Sequence, residues 1–243
     1  MNKFNELLDQ YPKTNIKPDK KHSILPTVLK LLEPLEGKTV VDVGCGEGFF
    51  SRAVAERNSD VVYGIDSSNS FIERAIKKDC TKVVYKVLDM FSSELPMCDV
   101  INAPFVINYA NSLDDLKKLL VNFFNSLNNG GKLVLVVDLP RLDLSEDQIR
   151  KNRKFGAVKR VDGGLVDGAN IKIELFNNEK YICTLNSNYF ALESIERLLS
   201  EVGFKSIVRH KPIIDKYGKK VYGEEFWKDY LELYELGYLT AIK

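Results

Sequence analysis

The spacing of apolar residues changes along the chain, and those changes divide it. Residues 2–10 carry a short helical pattern; Tyr11 to Lys21 is polar, basic and interrupted by Pro12 and Pro18. Leu25, Val28, Leu29, Leu31 and Leu32 then recur at helical spacing and predict a helix over Ser23–Leu35, with Pro26 in its first turn. From Lys38, strands are predicted at Thr39–Val43, Val61–Ile65, Val83–Leu88, Val100–Asn102 and Lys132–Val137. Helices at Phe49–Arg57, Phe71–Lys78 and Leu113–Leu127 separate them, and Asn128-Asn129-Gly130-Gly131 reads as the C-cap of the last. Apolar strands alternating with helices imply a parallel sheet covered on both faces.

After Pro140 the period shortens to that of strands, at 155–161, 170–176 and 179–187, with turns at Gly163-Gly164 and Asn177-Asn178. This stretch is too short for an independent domain and reads as an antiparallel β insertion at about 140–190. A helix over Leu192–Val202 stops at Gly203, and strands follow at Ser206–His210 and Tyr238–Ile242. The predicted organisation is α/β: an N-terminal helical lid over 1–37, then one domain over 38–243 that carries the insertion.

Composition narrows the classes. Of 243 residues, 44% are hydrophobic and 28% charged, and 35 basic against 34 acidic side chains leave +1. A wholly disordered chain is excluded, and no strong net field is available to hold nucleic acid or an anionic membrane. No apolar run approaches the roughly 18 residues of a membrane span, and the start has no hydrophobic signal-peptide core. Cys45, Cys80, Cys98 and Cys183 are scattered without metal-ligand spacing, so reduced thiols in a cytoplasmic protein, with no metal, are expected.

The candidate chemistry begins at Val40-Val41-Asp42-Val43-Gly44-Cys45-Gly46-Glu47-Gly48, where a strand gives way to a helix. Glycines there let the backbone turn and approach a ligand with no Cβ in the way, at the strand ends where ligands of such sheets bind. A tight packing turn is the bland reading. Asp66 ends the second strand, where a carboxylate can accept both hydroxyls of a ribose, and Asp89 with Met90 ends the third, where they could hold an adenine ring. A dinucleotide fingerprint requires a small residue where Phe49 stands, and no GK[ST] follows the glycines.

The run VVDVGCGEGFFSRAVAE, with GIDSS and LDM after it, resembles motif I and the succeeding motifs of class I S-adenosylmethionine-dependent methyltransferases. The likeness covers roughly 38–138 and 192–243, and the Ala-Pro-Phe-Val-Ile-Asn-Tyr-Ala stretch with the polar lead is similar to toxoflavin-synthase-like small-molecule enzymes. The resemblance implies a Rossmann-like seven-stranded sheet, mostly parallel with an antiparallel last strand, and S-adenosyl-L-methionine as cofactor, leaving as S-adenosyl-L-homocysteine. It assigns Asp42, Gly44, Cys45, Gly46 and Gly48 to the loop under the methionine moiety. Asp66 takes the ribose, Ser67 lies beside the adenosine, Asp89 and Met90 read the adenine, and Ala103 lines the fourth strand's exit. Tyr11 matches the tyrosine that closes over the cofactor in small-molecule members; a linker aromatic is the other reading.

For the acceptor, Phe105, Asn108, Tyr109 and Tyr189 are the expected pocket residues, each with core packing as an alternative. Tyr109 and His22 are the candidates to take a proton from the acceptor. Asn102-Ala103-Pro104-Phe105 departs from the Asn-Pro-Pro-Tyr/Phe motif of macromolecular amino-group methyltransferases at its second residue. The basic cluster Arg150, Lys151, Arg153, Lys154, Lys159 and Arg160 reads first as solvated surface, second as an anionic-substrate site and third as an RNA contact. The leading expectation is a small-molecule methyltransferase, with no membrane or nucleic-acid partner and an open oligomeric state. The alternatives are a non-catalytic cofactor-binding partner subunit and, behind it, an RNA or protein amino-group methyltransferase.

Overall fold

Seven strands assemble into one sheet. The computed structural model of the chain describes residues 7–78 and 83–243; the start of the helix expected over 2–10, and Cys80, lie outside them. The strands are β1 (Thr39–Val43), β2 (Val61–Asp66), β3 (Val83–Val87), β4 (Cys98–Pro104), β5 (Leu127–Asp138), β9 (Lys205–His210) and β10 (Leu236–Ile242), ordered β3-β2-β1-β4-β5-β10-β9. Only β10 runs against its neighbours, pairing antiparallel with both β5 and β9.

Successive residues of a strand face opposite ways, so the buried runs feed two cores. Val41, Val43, Ile101 and Leu133 pack under α4 (Leu113–Ser126) and α6 (Leu192–Val202), around Phe123 and Leu199. Val40, Val62, Val100 and Val134 pack under α1 (Leu25–Leu32) and α2 (Phe49–Ala55), around Leu32 and Val54. α3 (Asn69–Lys77) joins β2 to β3, and its N-cap Ser68 accepts from the Phe71 N–H. Pro26 stands in the first turn of α1, as its fixed φ favours.

A second, three-stranded antiparallel sheet, β6 (Ala157–Val161), β7 (Asn170–Asn177) and β8 (Lys180–Asn188), stands apart from the first. Its hairpin turns on Asn178 and Glu179, with φ of +47° and +64°, because Asn177 pairs with Lys180. The turn is thus one residue beyond the expected Asn177-Asn178 and has the backbone of a tight primed turn.

Other elements depart from the sequence reading. Asn128–Gly131 does not cap α4; Leu127 is already extended, and the Gly131 carbonyl and Gly130 N–H pair with Lys243. Those backbone groups find partners on the chain's last strand, which removes the need for a left-handed cap. Three helices were not expected from the sequence: α5 (Glu146–Phe155), α7 (Lys216–Tyr222) and α8 (Glu224–Leu233), the last with a short stripe of Trp227, Tyr230 and Leu233. α5 buries only Asn152 and Phe155, and its start is fixed by a Ser145–Gln148 capping box. Tyr11–Lys21, read as a polar lid, forms a 3₁₀ turn at Tyr11–Ile16 and a π turn at Lys20–Ile24, with Thr14, Lys17, Asp19 and Lys20 buried.

Two polar clusters tie these parts together. Beneath the glycine loop the fully buried Asp42 carboxylate accepts from the Ser51 hydroxyl on α2 and from Asn102 Nδ2 on β4, the latter at 2.8 Å. Between the sheets, Asn108 donates Nδ2 to the Asn188 carbonyl at 2.8 Å and accepts the Asp138 N–H at 3.1 Å. Asn188 Nδ2 returns a bond to the Ala110 carbonyl at 2.7 Å. Asn108, expected against the acceptor, is therefore a buried tie between β5, β8 and the turn after β4.

Replacing Asn108 with Ala leaves the Asp138 N–H and the Asn188 carbonyl without this partner. We expect a loss of roughly 2–4 kcal/mol, read as a lower urea midpoint at unchanged slope; a midpoint equal to wild type would show that the tie carries no stability. Burial raises the Asp42 carboxyl from 3.8 to about 6. The folded chain binds that proton more tightly than the unfolded chain, so this contribution is full below pH 3.8 and lost as pH rises through about 6. Asp42→Asn removes the titration, and its new amide can donate to a flipped Asn102, whose Oδ1 has no partner among the described residues. Urea melts between pH 4 and 7 should show a shallower decline in the variant than in wild type.

Candidate active site

A cavity of about 790 Å³ opens where β1, β2, β3, β4 and β5 end, within the range of small-molecule sites. Gly44, Asp66, Asp89, Phe105 and Asp138 reach its wall from those strand ends in turn. The opposite wall comes from the N-terminal segment, from α5 with β6–β8, and from the stretch between α8 and β10.

The glycine loop has the conformation its sequence implied. Gly44 has φ of +64° and sits so close to Val106 that an added Cβ would lie 2.5 Å from its Cγ1. Gly46, at φ +55°, presents a bare backbone, with nothing within 4 Å of where a Cβ would be. Asp66 is oriented by two backbone donors, Gly46 N–H at 2.9 Å and Ser68 N–H at 2.8 Å. Two acceptor positions of the carboxylate remain for a ligand, and burial pushes its carboxyl up. Asp89 accepts the Phe91 N–H at 3.0 Å, and Met90 stands beside it on the wall. Such a bare glycine backbone with carboxylates at the next two strand ends fits a nucleoside that carries an amino-acid tail.

Tyr11, Ser67, Phe105 and Tyr109 also line the cavity. Tyr11 meets Phe71 edge-on, with ring centroids 6.0 Å apart. Phe105 has φ of +64°, a left-handed conformation rare for a bulky residue, held by a 2.7 Å bond from its N–H to the Val136 carbonyl. Burial, and then each other's proximity or that of Asp66, push the Tyr109 and Tyr11 phenols up, so both stay protonated.

Several expected site residues lie elsewhere. Asp42 supports the loop from beneath, Cys45 is buried with its N–H on the Ile65 carbonyl, and Gly48 packs under Tyr85. Ala103 is core, and Tyr189 packs against the second sheet and pairs its backbone with Gly168 and Ala169. His22 is buried away from the cavity, with Nδ1 3.1 Å from Asp215 and flanked by Tyr217 and Tyr222. It joins the N-terminal segment to α7, so it has no path to an acceptor.

What the sequence reading missed is a set of buried charges. Lys159 lies 2.7 Å from Asp138 and also donates to the Glu235 carbonyl. Lys17 pairs with Asp19 at 3.4 Å and donates to the Gly156 carbonyl at 3.1 Å. Lys20 is buried over the rings of Tyr11, Phe49 and Phe50. Lys159 thus leaves the basic cluster, whose other members include exposed pairs such as Arg150–Asp147. Asp138 could have been found, since it ends an apolar strand as Asp66 does. Lys17 and Lys20 had no signal, because the Gly156 carbonyl that holds one and the Tyr11, Phe49 and Phe50 rings that surround the other are brought to them only by the fold.

Residues 18–209 match the family described as Methyltransferase domain. A Coxiella burnetii ubiquinone biosynthesis O-methyltransferase is 30% identical over 141 residues, 54% of this chain and 58% of that protein. The chain spans little more than half the length of the curated relatives it matches. An S-adenosylmethionine-dependent methyltransferase from Mesorhizobium loti superposes with a TM-score of 0.65 at 16% identity, over 95% of this chain and 100% of that one. The N-methyltransferase NodS from Bradyrhizobium japonicum, solved with S-adenosyl-L-homocysteine, gives 0.61 at 14% identity, over 99% and 96%; these two likenesses show the fold. With the family match spanning most of the chain and a glycine loop and strand-end carboxylates that fit the cofactor, the chain belongs to the class I S-adenosylmethionine-dependent methyltransferases.

Proposed function

We propose that the acceptor is a small polar metabolite, methylated inside the cavity. The observation that carries this is the far wall: the N-terminal segment, the second sheet and the α8–β10 stretch close the space opposite the strand ends, which favours a molecule that fits inside over a polymer lying across the surface. The buried pair between Lys159 on that wall and Asp138 at the end of β5 favours a polar acceptor, since such charges are costly to bury without polar surroundings. Three free buried thiols, Cys45, Cys98 and Cys183, support a reducing, cytoplasmic setting. Among the described residues no helix is long and apolar enough to cross a membrane.

When bound, S-adenosyl-L-methionine supplies an electrophilic methyl on a positively charged sulfur. Asp66 holds the ribose, Asp89 and Met90 the adenine, and Gly44 and Gly46 admit the tail against the backbone. Tyr11, Phe105 and Tyr109 confine the acceptor, and placement of this kind can lower the barrier by roughly 7–11 kcal/mol. Tyr109 stays protonated and serves as a hydrogen-bond donor rather than a base. Asp138, held by Lys159, is the group we assign to receive the proton of a protic acceptor.

Incubation with methyl-labelled S-adenosyl-L-methionine in a whole-cell extract should put label into the low-mass metabolite fraction. Label found in RNA or protein alone would overturn the small-molecule reading. Asp66→Ala should weaken S-adenosyl-L-homocysteine binding tenfold or more by calorimetry, since two bonds to a charged acceptor are lost at about 1.5–3 kcal/mol each. Unchanged affinity in a folded variant would remove Asp66 from the ribose.

A further inference from the structure

Asp19, Asp138 and Glu235 are buried carboxylates that line the cavity. Asp19 pairs with Lys17 at 3.4 Å and Asp138 with Lys159 at 2.7 Å. Glu235 has no cation within salt-bridge distance among the described residues. It is 6% exposed, and its carboxylate accepts only from neutral donors, the Arg141 N–H at 2.8 Å and Asn152 Nδ2 at 3.4 Å. Lys159 donates to the main-chain carbonyl of Glu235 and keeps its ion pair for Asp138. A buried carboxylate with neutral donors alone is costly to keep ionised, and burial pushes its carboxyl up. A cation brought by a ligand would relieve that cost.

The surroundings of Glu235 favour such a cation. Phe155 stands one turn from Asn152 on the buried face of α5, and Tyr230 and Tyr234 precede Glu235 in the chain. Phe155 meets Tyr230 edge-on at 5.3 Å between centroids, and Tyr230 lies 6.2 Å from Tyr234. All three rings line the cavity with Glu235. Aromatic faces attract a cation, and a carboxylate among them adds a charge-assisted hydrogen bond. A neutral hydroxyl gains little from the rings, and an anion is repelled by the carboxylate. The sheet order also sets Glu235 apart from the nucleoside: it leads into β10 beside β5, whereas Asp66 ends β2 and Asp89 follows β3 on the other side of β1. We propose that Glu235 is the receptor for an ammonium group of the methyl acceptor, so that the substrate class is an amine, cationic at neutral pH, with Phe155, Tyr230 and Tyr234 around its charge. This rests on the small-molecule reading given above and names the chemistry of that molecule. The consequence is selectivity against phenols and carboxylic acids that carry no amine.

The test incubates the full chain with S-adenosyl-L-methionine deuterated at its methyl group and a whole-cell metabolite extract. The low-mass fraction is split on a cation exchanger at neutral pH and read by mass spectrometry. Apart from the cofactor, which is itself a cation, the main labelled species should be retained. A main labelled species that passes through, neutral or anionic, overturns this inference and leaves the small-molecule reading standing. Label confined to RNA or protein, or none in the low-mass fraction, overturns both. Glu235→Gln removes the charge while its amide oxygen can still accept the Arg141 N–H. It should slow labelling of the retained species on the order of ten- to a hundredfold, as for a lost charge-assisted bond, chiefly through KM. Its affinity for S-adenosyl-L-homocysteine by calorimetry should stay within about threefold of wild type. An unchanged labelling rate, or an equal loss of labelling and of S-adenosyl-L-homocysteine affinity, overturns the assignment. Should the variant not fold, the fractionation decides, since it uses wild type alone.

Discussion

A single buried carboxylate sets the geometry on which the site depends. Asp42 ends no strand and touches no cavity, yet it joins β1, β4 and α2 directly beneath the glycine loop. Fully buried, the carboxylate keeps its donors close, and those donors fix how α2 leaves the loop. The positive φ of Gly44 and Gly46 then becomes a fixed shape rather than a flexible one. Asp66 completes it from the neighbouring strand by accepting the Gly46 N–H. The loop is therefore braced from below by one carboxylate and from the side by another.

The opposite wall solves a different problem. A cavity needs a roof, and here the roof is polar: Lys17, Asp19, Lys20, Lys159 and Glu235 line it and all are mostly buried. Pairing within the wall offsets much of the cost, as between Lys159 and Asp138. Glu235 is held by the Arg141 N–H at 2.8 Å, with its carboxyl pushed up by burial. Lys20, whose ammonium has only the rings of Tyr11, Phe49 and Phe50 around it among the described residues, is the exception. Buried charge of this kind is weak evidence for stability and better explained by recognition.

Three segments distant in sequence make that roof, and small apolar clusters around Ile173 and Trp227 are joined by directional ties. The Asn108–Asn188 exchange ties the second sheet to the main one. His22 and Asp215 tie the N-terminal segment to α7, and Phe155 packs into the aromatic cluster of Trp227 and Tyr230 on α8. Such polar and aromatic ties are directional, so they set the position of the roof as well as its stability.

By itself the sequence determined the sheet, the glycine loop and the carboxylates at strand ends. Val-rich runs alternate with helical ones because the central strands must bury both faces, and that demand is local and periodic. Gly44, Gly46, Asp66 and Asp89 were legible for the same reason, as each is tied to the end of a strand whose position the pattern gives. The hairpin turn was found to within one residue. α5 and α7 were not legible, since they bury few apolar side chains, and the Trp227, Tyr230 and Leu233 stripe of α8 is short and set among acidic residues. Asn108 and His22 were read as site residues because a polar side chain near a motif has the same appearance whether it meets a ligand or a distant carbonyl. Only the tertiary structure decided between them, by bringing Asn188 to one and Asp215 to the other, and by setting Lys20 among the aromatic rings of Tyr11, Phe49 and Phe50.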